Sequence, residues 1–225
     1  MNPFFQIMNI PKRKKRFFLD WSLTWQLIFV NCILFLIFTL LDSLKLLSLE
    51  FVALNPSFIF EQGFYWTFIT SMFMHGGLFH LFANMLSLSF IGGLLEKILG
   101  KRRFFWIYLL SGFFAGVTFI MFSLVIGGDY NSFAVGASGA LFGLVGTLVF
   151  LTPNLRVYLM FIPIPVRLKY AAPGLLIVLW LISVAGNVPI GNTAHLGGLI
   201  AGVAYGIFLR IKFPNKVKMI DKRYS

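Results

Sequence analysis

Six apolar runs constrain this chain more than any other feature. They fall at roughly 24–41, 78–99, 104–126, 137–151, 170–185 and 194–209, with polar residues, glycines or prolines between them. The chain is 59% hydrophobic and only 12% charged, a balance that would leave a soluble globule coated in apolar side chains. The runs are therefore expected to be helices in a lipid bilayer. The first and third read as ordinary spans. The second, fourth and sixth contain His, Asn, Ser and many Gly, so they are expected to face protein rather than lipid.

Charge sets their direction. With six spans, both termini share a side with the 100–103 and 152–169 connections, and of the 19 lysines and arginines only Lys45 lies opposite. Under the positive-inside rule that side is cytoplasmic, and the asymmetry independently supports an even number of spans. The expected organisation is an all-α membrane protein. A basic cytoplasmic segment over 1–23 precedes a six-helix membrane domain over 24–210 and a basic cytoplasmic tail over 211–225.

The net charge of +12 does not point to nucleic acid, because no basic stripe follows a polar helix face and no motif of that class occurs. The single cysteine, Cys32, excludes an intrachain disulfide and a zinc site built on paired cysteines. The apolar run after the basic cluster Lys12 to Arg16 is longer than a signal-peptide core and reads as a retained first span. The aromatic-rich connection 42–77 is expected to form an interfacial element on the outer side. Phe161-Ile162-Pro163-Ile164-Pro165 is expected to be a loop.

Three polar clusters fall within or at the ends of these spans: His75, His80 and Asn84; Gly136-Ala137-Ser138-Gly139; and Asn192-Thr193-Ala194-His195. Ser138 to Pro153 and His195 to Arg210 each span about 22 Å of helix, short of the roughly 30 Å hydrocarbon core. Spans four and six run in the same direction, which places Ser138 and His195 at similar levels below the outer surface. Asn84 lies about 25 Å from the basic boundary at Lys101, in nearly the same layer. His80 stacks one turn farther out on the same face. Gly139, Gly143 and Gly146 in span four, with Gly198, Gly202 and Gly206 in span six, form small-xxx-small patterns that permit close backbone approach. An imidazole beside a serine hydroxyl is what nucleophilic catalysis needs, because the free hydroxyl is a poor nucleophile at neutral pH.

Each residue alone has a plainer reading. Ser138 fits a small residue at a helix interface, His195 a packing histidine, and His80 and Asn84 interhelical hydrogen-bonding groups. Glu96 and Lys97 read as the inner end of span two. It is the arrival of nucleophile, base and amide donor in one membrane layer that favours chemistry.

In these motifs the chain resembles the rhomboid family over about residues 60–210. His75 to Asn84 reads H-x-x-x-x-H-x-x-x-N, residues 136–139 read G-x-S-G, and Ala194 to Gly202 reads A-H-x-x-G-x-x-x-G. The resemblance implies an intramembrane serine endopeptidase that cuts transmembrane protein substrates with a Ser138–His195 dyad and needs no metal or organic cofactor. It assigns His80, Asn84 and the Ser138 backbone N–H to the oxyanion hole, makes His75 a supporting residue, and gives Gly198 the role of letting span six pack on span four. Many relatives place a Tyr four residues after the nucleophile, stacked on the imidazole; here it is Phe142. Many have Trp-Arg in the first outer loop, whereas Trp66 is followed by Thr67.

Two other functions fit the same composition, a rhomboid-like protein that binds membrane helices without cutting and, from another class, a small transporter. The first usually lacks the Ser or the His, and the second predicts solute flux that survives Ser138→Ala. The compact six-span form leads to the expectation of a prokaryotic plasma membrane.

Overall fold

The computed structural model describes residues 21–126, 130–158, 164–186 and 191–224. The basic cluster Lys12 to Arg16 and most of the Phe161–Pro165 loop fall outside these residues, while Ile164 and Pro165 are non-helical. Among the described residues, five helical stretches are long and apolar enough to cross a membrane, and Ser138–Leu151 is a shorter apolar helix.

Helix α1 (Leu23–Ser43) starts at an N-cap, Ser22, whose side chain accepts from Trp25 N. A second cap comes from across the bundle. The Glu96 carboxylate accepts from Leu23 N at 2.7 Å, Thr24 N at 2.8 Å and the Thr24 hydroxyl at 2.7 Å. A carboxylate suits this helix end because the first-turn N–H groups lack intrahelical partners and carry the positive end of the dipole. Glu96 is thus a buried capping acceptor close to the inner end of the second run.

The 42–77 connection is built from short pieces: a 3₁₀ turn at Leu49–Phe51, α2 (Pro56–Gln62), α3 (Thr67–Thr70) and a second 3₁₀ turn at Ser71–Phe73. Side chains tie it to backbone carbonyls. Trp66 Nε1 donates to Phe51 O at 2.8 Å, Thr67 Oγ1 to Phe64 O at 2.6 Å and Thr70 Oγ1 to Val52 O at 2.9 Å. With Thr67 buried, the loop is closed without the arginine that many relatives carry.

The second apolar run, Leu78–Leu99, is α4 (Leu78–Ser87) and α5 (Gly93–Leu99) joined by a π turn at Leu88–Gly92. Gly100, at φ +79°, reverses the chain directly into α6 (Lys101–Ile126). Helix α7 (Ser138–Leu151) has eleven buried residues out of fourteen, the pattern of a helix enclosed on all sides. A two-residue antiparallel ladder follows, Arg156–Val157 against Val166–Arg167, a small addition to the expected all-α fold. It leads to α8 (Leu168–Gly186) and α9 (Asn192–Lys212). The expected tail contains an eleven-residue helix, α10 (Pro214–Tyr224).

The α7–α9 contact fixes the site. A Cβ built on Gly198 would overlap the Gly139 carbonyl, and one on Gly202 the Gly143 carbonyl. The partners keep the same sequence offset, so the two helices run parallel and in register. Thr147 Oγ1 adds a bond across the seam to Gly202 O at 3.1 Å. Helix α8 is different: its buried residues, Leu168, Ala171 and Ala172, all lie in the first two turns.

Candidate active site

Ser138 is the first residue of α7, and the backbone entering it is braced from two directions. Leu54 and Ala134 exchange backbone bonds at 3.0 and 2.8 Å, and Gly136 N donates to Ser71 O at 2.9 Å. Gly136 then turns the chain at φ +116°, a conformation that disfavours any residue with a Cβ. Space imposes the same requirement. A Cβ there would stand 2.8 Å from His80 Cε1 and 2.9 Å from His80 Nε2.

The parallel packing of α7 and α9 brings His195 Nε2 to 2.8 Å from Ser138 Oγ. His195 is buried, at 7% exposure, while Ser138 remains partly accessible. Phe142, one turn along α7, stacks on the imidazole with ring centroids 4.6 Å apart and planes 23° apart. The ring face that many relatives supply with Tyr is present. For Nε2 to accept the serine proton, the neutral ring must carry its hydrogen on Nδ1. Among the described residues that buried Nδ1 has no hydrogen-bond partner, and neither has Asn192 Oδ1 three residues earlier.

His80 and Asn84 flank the other side of the Gly136 turn, with Asn84 Nδ2 at 3.8 Å from the same Cβ position. Gly76 N donates to His80 Nδ1 at 3.3 Å. A neutral His80 therefore holds its proton on Nε2, the nitrogen facing the Ser138 loop. Asn84 is fixed by its own Nδ2 donating to His80 O at 2.9 Å. His75 stands behind, edge-on to His80 at 5.3 Å and to Phe35 at 6.3 Å. Burial first, and then repulsion from His80 wherever both rings would be protonated, hold the His75 imidazole pKa down to about 4, so it is a neutral ring at pH 7.

His195, Phe142, His80 and Asn84 thus lie around the Gly136–Ser138 turn with His75 behind them, while Gly198 and Gly202 lie along the α7–α9 seam against Gly139 and Gly143. Those the sequence did not single out are Ser71, Leu54 and Ala134, which act through backbone atoms and so leave no side-chain signature. Among the described residues no three His, Cys, Asp or Glu side chains converge to hold a metal ion.

Comparison with known proteins follows the same residues. A family model described as the Rhomboid domain matches residues 62–212. RHOMBOID-like protein 1 of Arabidopsis thaliana is 36% identical over 71% of this chain and 38% of its own length. Rhomboid protease GluP of Bacillus subtilis is 31% identical over 64% of this chain and 26% of its own. Rhomboid protein 1, mitochondrial, of Saccharomyces cerevisiae is 35% identical over 63% and 41%. The chain spans less than half the length of these curated relatives. They come from a plant, a bacterium and a yeast, and the expectation of a prokaryotic plasma membrane gains no support from them. Apolar helices and family together make this an integral, multi-pass membrane protein.

Proposed function

The chain belongs to the rhomboid family, and from that premise we propose that it is an intramembrane serine endopeptidase in which Ser138 is the nucleophile and His195 the general base. One observation carries the reading, the 2.8 Å approach of Ser138 Oγ to His195 Nε2. Ser138 Oγ attacks the scissile carbonyl while Nε2 takes its proton, and the same nitrogen returns that proton to the leaving amine. The departing amine leaves an acyl group on Ser138. Water, deprotonated by His195, then hydrolyses the ester.

The developing oxyanion is held by the Ser138 N–H, His80 Nε2–H and Asn84 Nδ2–H. Such donors contribute about 2.7–4 kcal/mol each when aimed at the charge that forms in the transition state. Phe142 holds the imidazole plane, and His75 backs His80. Both termini lie on the basic, cytoplasmic side. Helix α7, about 21 Å long by its fourteen residues, is shorter than the hydrocarbon layer, which supports a site recessed below the outer surface.

The substrate is a transmembrane helix that must unwind before its carbonyl can be attacked, so Gly or Pro near its outer end favours cutting. Helix α8 is the entry gate, a role consistent with the absence of buried residues beyond its second turn. The test is incubation of purified protein with a model transmembrane substrate. Wild type cleaves it, while Ser138→Ala and His195→Ala do not. Substrate capture without cleavage by wild type would instead favour a helix-binding protein.

A further inference from the structure

At the basic end of the bundle, away from Ser138, a cavity of about 300 Å³ opens between α6 and α9, lined by Arg102, Arg103, Trp106, Ile107, Leu110 and Tyr205. We propose that this groove binds one anionic phospholipid, with the phosphate on the two arginines and an acyl chain along the apolar stretch below them. The proposal rests on the membrane reading of the fold and is independent of the serine chemistry.

The lining is graded as a lipid is graded. Arg102 and Arg103 are exposed at the start of α6, and among the described residues neither has a carboxylate partner. Trp106 lies one turn deeper and Leu110 two turns deeper, about 6 and 12 Å along the helix. Both are exposed, at 52% and 46%, while Ile107 forms a buried floor. Tyr205 reaches the groove from α9, about 7.5 Å inward of Arg210. Guanidinium, then Trp and Tyr, then aliphatic surface is the order phosphate, interface, acyl chain.

Arg103 is held in place by Phe213, whose ring centroid lies 5.4 Å from its guanidinium carbon. A planar fork suits a phosphodiester better than a lysine does. Positive-inside topology alone accounts for cations at this end, but not for their placement over a groove with an aromatic middle and an apolar floor. The ladder arginines, Arg156 and Arg167, face each other across the strand pair and provide an equal charge on a different structure.

The test uses the full chain as Ser138→Ala, so that loss of proteolysis and loss of lipid binding are read separately. In phosphatidylcholine vesicles containing a minority of phosphatidylglycerol with a diazirine high on its acyl chain, cross-links should map to 103–110 and the Tyr205 region. Label spread equally over 153–169 would overturn the proposal. Native mass spectrometry should show phosphatidylglycerol retained over phosphatidylcholine, with retention about 30-fold weaker in Arg102→Gln/Arg103→Gln, from about 1 kcal/mol per near-surface cation. Arg156→Gln/Arg167→Gln should stay within about threefold of the parent. Equal losses in the two doubles would reduce the effect to diffuse surface charge. Displacement of the lipid by free glycerol phosphate at matched concentration would also refute it, because the groove would then be a soluble-phosphate site. The cross-link map needs no arginine variant and stands even if a double variant fails to fold.

Discussion

Gly198→Ala should leave a folded protein that cuts poorly. The new methyl would overlap the Gly139 carbonyl, backbone that cannot rotate away, so α9 must move off α7 locally. Overpacking of this kind costs about 1–3 kcal/mol, and the Gly143–Gly202 contact one turn on resists complete separation. The helices should splay at the end that carries the site. His195 lies less than one turn before Gly198, and its Nε2 is 2.8 Å from Ser138 Oγ. A displacement of about 0.5–1 Å takes that pair beyond the roughly 3.2 Å reach of a general base. Misplacement by about 1 Å costs on the order of 100-fold in rate. Cleavage of a model transmembrane substrate, measured beside thermal unfolding in the same detergent, separates the effects: kcat should fall about 100-fold with a modest loss of stability. Gly174→Ala in α8, where a Cβ meets nothing within 4 Å, should remain active. Wild-type turnover by Gly198→Ala would refute the argument that backbone contact sets the Ser138–His195 distance.

Three further outcomes follow from named contacts. Glu96→Ala should destabilise the fold by about 3 kcal/mol, because it strips the acceptor from the first turn of α1, and thermal unfolding reads this. His80→Ala and Asn84→Ala should each lower kcat by about 100- to 1,000-fold with little change in KM, as expected for oxyanion donors; an effect confined to KM would assign them to substrate binding. His75 is held neutral at about 4 against about 6.5 in an unfolded chain, so the unfolded state binds the extra proton between those values. Its contribution to stability is present above pH 6.5 and is lost as pH falls toward 4. Melting curves should show that acid slope, and His75→Phe should reduce it.

The elements that proved legible are those written as side-chain chemistry on a membrane ruler. Apolar run lengths and basic boundaries put Ser138, His195 and Asn84 at similar levels, an expectation that fits the 2.8 Å approach of Ser138 Oγ to His195 Nε2, and the glycine spacing anticipated the α7–α9 seam. The stacking of Phe142 was legible only through the resemblance, which puts an aromatic ring four residues after the serine. Glu96 was harder to read, because a carboxylate beside Lys97 looks like a helix end in water; its role depends on α1 beginning against α5, a tertiary fact. The brace through Leu54, Ala134 and Ser71 uses backbone groups that any residue could supply. The π turn at Leu88–Gly92 lies in an apolar run with unbroken helical composition. Helix α10 was read as a tail because its polar sequence lacks the apolar length that identified the others.

The most direct measurement is covalent labelling with a fluorophosphonate, located by peptide mass spectrometry in the purified full chain. An activated serine beside an imidazole should carry the label on Ser138 in wild type, with labelling largely lost in His195→Ala and absent in Ser138→Ala. Equal labelling with and without the His195 ring, or modification only at other serines, would contradict the account.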